Sequence, residues 1–310
     1  MKRITVTVLL MMFSGIISCE DHKSGHSHKA KRNNINTSTA NKSDVKASVC
    51  QITQAKAVYI KTIPISSNMK EYVQLYKENW AKLCANKKVS LYKNFEMANK
   101  IMSYFQLIFY TNMKNKALRQ ATQDYMYSVH QFLPGISAPH SEYNFSIKMS
   151  HFRAFSDLGN ENDRRFLSIH NELMGDGVLP VWYTQTWDLG GCVNYGEHPW
   201  IKSFKAIKEG KKLDGQAYQI AILRLETLLL SALDRSMFIN NKSTGICTCT
   251  PGKDNKAKAV VINDYRNIIS YLNKTKDYPA LYKKLQLSVT AIKNESLKIL
   301  VDREKHCSGG

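Results

Sequence analysis

The feature that most constrains this chain is the spacing of its apolar residues, which recur every three to four positions from Met69 almost to the C-terminus. Met69, Tyr72, Val73, Tyr76, Trp80, Leu83 and Cys84 fall on one helical face, because side chains three and four apart stack over one another. Asn68 and Glu71 have the spacing of a capping box at the start of that helix. Ser90 is placed to cap the next, whose inward face runs Leu91, Phe95, Ala98, Ile101, Met102, Phe105, Ile108 and Phe109. A break near Asn112–Asn115 leads into Leu118, Ala121, Tyr125, Val129, Phe132 and Leu133, which Pro134-Gly135 ends. Shorter helices are expected over 145–157 and 161–174. Asp214 can cap a helix reaching Ile239 that is apolar nearly all round, the mark of a central position. Lys258–Lys274 forms another. The last starts at Asp277-Tyr278-Pro279, turns Leu281, Leu285, Ser288, Ile292 and Ile299 inward, and takes Asn294-Glu295-Ser296 inside it. No stretch alternates as a half-buried strand does, and no segment of 20–50 residues repeats. The expectation is an all-α fold: one bundle-like domain of about eight helices over residues 49–310. Hydrophobic residues are 43% of the chain, enough for a packed core.

Gly177–Trp200 breaks the helical pattern. It carries three of the four tryptophans, Trp182, Trp187 and Trp200, together with Tyr183, Tyr195, Gly190-Gly191 and Cys192. A connection this long is functional or tied down. Trp182, Tyr183, Trp187, Tyr195 and Trp200 are therefore candidate ligand-binding residues, aromatic faces beside acids being suited to sugars. The alternative is that the same rings pin the loop to the bundle.

Acids gather around the same stretch. Glu172, Asp188 and Glu197 are the candidates for a catalytic carboxylate pair of the kind that hydrolyses a glycosidic bond. Nothing in their spacing selects a pair. The chain has no Gly-x-Ser-x-Gly, His-Glu-x-x-His or phosphate-cradling Gly-Lys-Ser/Thr motif, and no cofactor is expected. Arg224 and Glu226 lie in the most apolar helix and face different ways, so each needs a partner from another helix or a route to the surface.

The N-terminus bears on where this chemistry would take place. Lys2 and Arg3 precede an uncharged, largely apolar stretch, Ile4–Ile17, the layout of a secretory signal and too short for a comfortable membrane span. It ends in Ile16-Ile17-Ser18-Cys19, which resembles the lipobox of bacterial lipoproteins. The resemblance covers this segment alone. It implies a signal peptide over 1–18, cleavage before Cys19, and a diacylglycerol on the Cys19 thiol that holds the protein to the bilayer on the periplasmic or cell-surface side. A cleaved, secreted protein is the alternative. Residues 19–48 then form a flexible tether, too polar to offset the entropy of ordering. His22, His26 and His28 within it could hold a transition metal loosely, or simply be part of a solvated tether.

Setting Cys19 aside leaves Cys50, Cys84, Cys192, Cys247, Cys249 and Cys307, an even set that reads as disulfides in an exported protein. Cys247 and Cys249 are too close to pair with each other and should reach distant partners, Cys192 being the first candidate for one of them. The formal net charge of +19 favours anionic surroundings. No nucleic-acid module is present, so the expected partners are the bilayer and an anionic polymer, glycan or protein of the envelope. Together these point to a membrane-anchored, non-enzymatic binding module, with an envelope glycan hydrolase using carboxylates in 172–197 as the alternative.

Overall fold

The computed structural model describes residues 41–59, 63–137, 145–174, 180–185, 191–196, 200–234, 237–239, 243–248 and 254–301. Cys19, His22, His26 and His28 lie outside them. The fold is predominantly α-helical. Among the described residues there are ten α-helices: α1 Lys42–Gln54, α2 Ser67–Cys84, α3 Leu91–Met113, α4 Lys116–Ser128, α5 Met149–Ala154, α6 Glu161–Met174, α7 Trp200–Gly210, α8 Gln216–Asp234, α9 Asp254–Thr275 and α10 Pro279–Lys293.

The caps explain the boundaries. Ser90 Oγ accepts from the Lys93 amide at 3.2 Å, as its position before α3 suggested. For α2 the cap is Ser66, whose Oγ accepts from the Met69 amide at 3.3 Å, so the helix begins before the expected Asn68–Glu71 box. α1 begins at Lys42, inside the stretch assigned to the tether. Asn41 caps it, Val49 is fully buried, and Lys42 and Lys46 both pair with Asp157. Seven polar-looking residues thus join the domain because one apolar side chain and two ion pairs give them something to pack on. Cys50 and Cys84 form a disulfide, Cα atoms 5.6 Å apart, that staples α1 to α2. In the loop-entropy account a ring of this size contributes about 3–4 kcal/mol.

One core runs through the helices. Trp80 sits edge-on to Tyr76, Phe152 and Phe155, and Phe95 links Phe152, Phe166 and Tyr218. Gly135, φ 75°, ends the α4 segment where the pattern placed a stop. A Cβ there would lie 2.7 Å from Phe152, so the turn needs glycine for space as well as for its left-handed backbone.

Seven short strands were not expected. Ile136–Ser137 (β1) and Ser146–Ile147 (β2) form a two-stranded pair. Tyr183–Gln185 (β3), Gly191–Val193 (β4), Met237–Ile239 (β5), Ser243–Thr248 (β6) and Lys298–Val301 (β7) make a mixed five-stranded sheet. β6 is its axis. β7 runs parallel along one edge; β5, antiparallel, and β4, parallel, share the other. Three expectations change accordingly. α8 stops at Asp234 and residues 237–239 belong to a strand. α10 stops at Lys293, with Glu295 at φ 64° in the turn beyond it, so Asn294-Glu295-Ser296 is not helical. Ile299 does face the core, but from β7. Helical spacing hid these strands because each is too short to show an alternation.

α8 also differs from its sequence. Leu223 and Leu228 are exposed, so the helix buries one face, carrying Tyr218, Ile222, Leu225, Glu226, Leu229, Ala232 and Leu233. Gly210 at the end of α7 lets α8 come close: a Cβ there would stand 2.8 Å from Ile222. That approach sets the distance between the two helices that matter next.

Candidate functional site

The aromatic residues of the irregular stretch are core residues where they are described. Trp182, Tyr195 and Trp200 are 0%, 1% and 3% exposed, which leaves no ring face for a ligand. The polar ends of Trp200 and Tyr195 are held as well. Trp200 Nε1 donates to Asp264 Oδ2 at 2.9 Å, and the Gly196 amide donates to the same oxygen at 2.7 Å. The Tyr195 and Tyr265 hydroxyls meet at 3.2 Å. Burial pushes the Asp264 carboxyl above its usual range, against the two donors that lower it. Tyr183 is partly buried against the core on β3. Trp187, Asp188 and Glu197 lie outside the described residues. Glu172 is on α6, its carboxylate 3.5 Å from Lys202 Nζ, with no second acid of the expected pair among the described residues to stand against it. No group of three metal-ligating side chains occurs among the described residues, and no described helix is long and apolar enough to cross a membrane.

The side chains that do converge on a cleft come from elsewhere. Phe204 and Lys208 lie one turn apart on one face of α7, and Lys211 follows in the turn just past its end. Tyr271 comes from the last turns of α9; Asp277 and Tyr278 come from the α9–α10 junction. Together they line a cleft of ≈ 320 Å³. Its rings are in contact: Phe204 lies 6.0 Å from Tyr271 and 5.4 Å from Tyr278 between centroids.

The junction is an unusual piece of backbone. Lys276 and Tyr278 both take left-handed conformations, φ 59° and 50°, though neither is glycine. Such residues cost about 1–3 kcal/mol each and persist where their surroundings hold them. Pro279 then occupies the first turn of α10, where its missing N–H does no harm. What holds Tyr278 is Glu226. The Tyr278 hydroxyl donates to Glu226 Oε1, and Lys211 Nζ bonds the same oxygen at 2.5 Å while standing 5.6 Å over the Tyr278 ring. Burial, then the Glu226 carboxylate, pushes the Tyr278 hydroxyl well up from its ordinary value, so it stays a donor. Across the cleft Lys208 Nζ pairs with Asp277 Oδ2 at 3.1 Å.

Two cations thus face two carboxylates beside three rings. The site has hydrogen-bond donors and acceptors at its rim, an apolar wall, and no net charge. Glu226 was legible in the sequence as a buried acid needing a partner from another helix, and Arg224 is exposed as the alternative there allowed. Lys208, Lys211 and Tyr271 gave no such signal: lysines on a helix and a tyrosine on an apolar face are ordinary until α7 and α9 are packed side by side.

No protein-family model matches the chain, and no characterised protein or solved structure matches it.

Proposed function

We propose that this chain is a lipid-anchored envelope protein whose helical domain is a non-enzymatic binding module, and that the α7–α10 cleft seats a small polyhydroxylated ligand of the glycan type. The observation that carries the ligand class is the pairing of charge with rings. Lys208 is matched by Asp277 and Lys211 by Glu226, so an ionic ligand gains little net attraction. Hydroxyl groups can exchange with either partner of the exposed Lys208–Asp277 pair. Sugar C–H groups suit the electron-rich faces of the partly exposed Tyr271 and Tyr278, which Phe204 backs from the core. The volume of ≈ 320 Å³ is at the lower end of the range for small-molecule sites. The Cys50–Cys84 disulfide supports export, since such bonds persist in oxidising compartments. It agrees with the signal-like segment before Cys19.

Calorimetry of the purified domain against a panel of neutral mono- and oligosaccharides tests the binding half. Tyr271→Ala is expected to weaken binding about 10-fold or more, as an aromatic wall worth ~1.5 kcal/mol would. Its unfolding midpoint should move less than for a fully buried ring, because Tyr271 is only partly buried against the core. Affinity that collapses on raising salt from about 0.05 M to about 0.5 M would instead identify an anionic polymer and sink the neutral-glycan reading. Product appearing from any bound glycan would sink the non-enzymatic one. The anchor is tested separately by mass spectrometry of the mature N-terminus: acylated Cys19 is expected, and an unmodified terminus at Glu20 or later would exclude it.

A further inference from the structure

We infer that the outward face of the α3–α4 hairpin is a membrane contact of its own, distinct from the N-terminal anchor, and that it lies on a bilayer of anionic headgroups. Lys100, Ser103, Leu107 and Tyr110 recur at helical spacing and share one side of α3. Lys114, the C-cap of α3, keeps a helical backbone and continues the stripe. All five are exposed. The opposite side of the helix, carrying Ile101, Phe105 and Phe109, is buried in the core. Leu107 and Tyr110 are 57% and 62% exposed. A single exposed apolar residue is ordinary, but these two are neighbours one turn apart on a helix that already has a full buried face.

The charge around them identifies the occupant. From residue 97 to residue 123 the chain carries Lys100, Lys114, Lys116 and Arg119 and no acid. The nearest acid on that side of α3, Glu96, stands about three turns before Leu107. Lys114 Nζ is 4.7 Å from the centroid of the Tyr110 ring, so a positive charge lies directly beside the apolar pair. Lys116 is exposed at the start of α4, just past the turn. A protein–protein interface is depleted of lysine, and two apolar side chains fall short of the area a stable subunit contact buries. A bilayer surface suits the combination. Leucine reaches the acyl boundary, tyrosine sits at headgroup depth with its hydroxyl in water, and lysines on long stems reach the anionic groups. The net charge of +19 adds attraction at longer range. The contact needs no acyl chain, so it stands apart from the reading of Cys19. It would fix which side of the domain faces the membrane.

The test exposes the full chain to an amine-reactive reagent in solution, on phosphatidylcholine vesicles, and on vesicles of phosphatidylcholine and phosphatidylglycerol in equal amounts. Mass spectrometry then reads the labelling of each lysine. Lys114 and Lys116 are expected to react about 5-fold more slowly on the anionic vesicles, and at the solution rate on the neutral ones. Leu107→Asp and Lys114→Glu, both at exposed positions, should each abolish the protection of Lys116 and leave the circular dichroism spectrum unchanged. Unchanged reactivity on anionic vesicles overturns the inference. So does equal protection on neutral vesicles, protection spread evenly over the lysines of α9 and α10, or protection that survives Leu107→Asp. Slow labelling without vesicles, together with a doubled mass in solution, would assign the face to a second copy of the chain and would equally overturn it.

Discussion

Trp80→Ala should lower the free energy of unfolding by about 3–5 kcal/mol. Trp80 is fully buried on α2, with ring centroids 5.1 Å from Phe152, 5.5 Å from Phe155 and 6.2 Å from Tyr76, all edge-on. Each such pair adds about 0.5–1.5 kcal/mol beyond the area it buries. The neighbours cannot close over the cavity. Tyr76 is held by its hydroxyl to the Pro134 carbonyl, and Phe152 is packed against Gly135, where even a methyl would be too much. Domains are stable by only about 5–15 kcal/mol, so the variant would sit near the limit of folding. Urea denaturation followed by circular dichroism measures the loss. A change below about 1 kcal/mol would mean that this cluster is not the anchor of the N-terminal half.

Acidification should weaken the fold well before the carboxylates protonate. Two histidines, the buried His151 and the half-buried His170, are held in the neutral form. His151 Nδ1 accepts from the Gly135 amide at 2.9 Å, and burial, with Lys148 nearby, holds its pKa down to about 3. Burial, with Arg153 nearby, holds His170 down to about 4. Both fall below the ordinary histidine value of 6.5 that the unfolded chain would show. Below that value the unfolded state binds protons that the folded state refuses, so stability falls as pH falls. The loss is about 1.4 kcal/mol per pH unit for each histidine, hence roughly 4 kcal/mol between pH 7 and pH 5. Asp264 works in the opposite sense: its raised carboxyl is protonated more readily in the folded state, an offset that grows only as pH approaches the carboxylate range. His151→Asn keeps an acceptor for the Gly135 amide and removes one titration, so the pH dependence should halve. Stability that stays flat between pH 7 and pH 5 would refute the neutral burial of both.

The helices could be read from the chain because what makes them is local. Ser90 caps α3 through an amide three residues on, and Leu91, Phe95, Ala98, Ile101, Phe105 and Phe109 share a face by the helical repeat alone. The sheet could not. Each of its strands is three to six residues long, and β6 is defined by partners drawn from 191–193, 237–239 and 298–301. No local pattern announces such pairings. The aromatic stretch was legible as unusual, but its meaning turned on Asp264 and Tyr265, some 65 residues later, which draw Tyr195 and Trp200 into the core.

By itself, then, the sequence determined the helical class, most helix faces and the need of Glu226 for a partner. All of these follow from side-chain period and from the cost of burying a charge. Only the tertiary structure decided which rings face solvent, and that Phe204, Lys208, Lys211, Tyr271, Asp277 and Tyr278 share one cleft. Those are relations between residues on different helices, fixed when α7, α8 and the α9–α10 junction pack together with Glu226 at their meeting point.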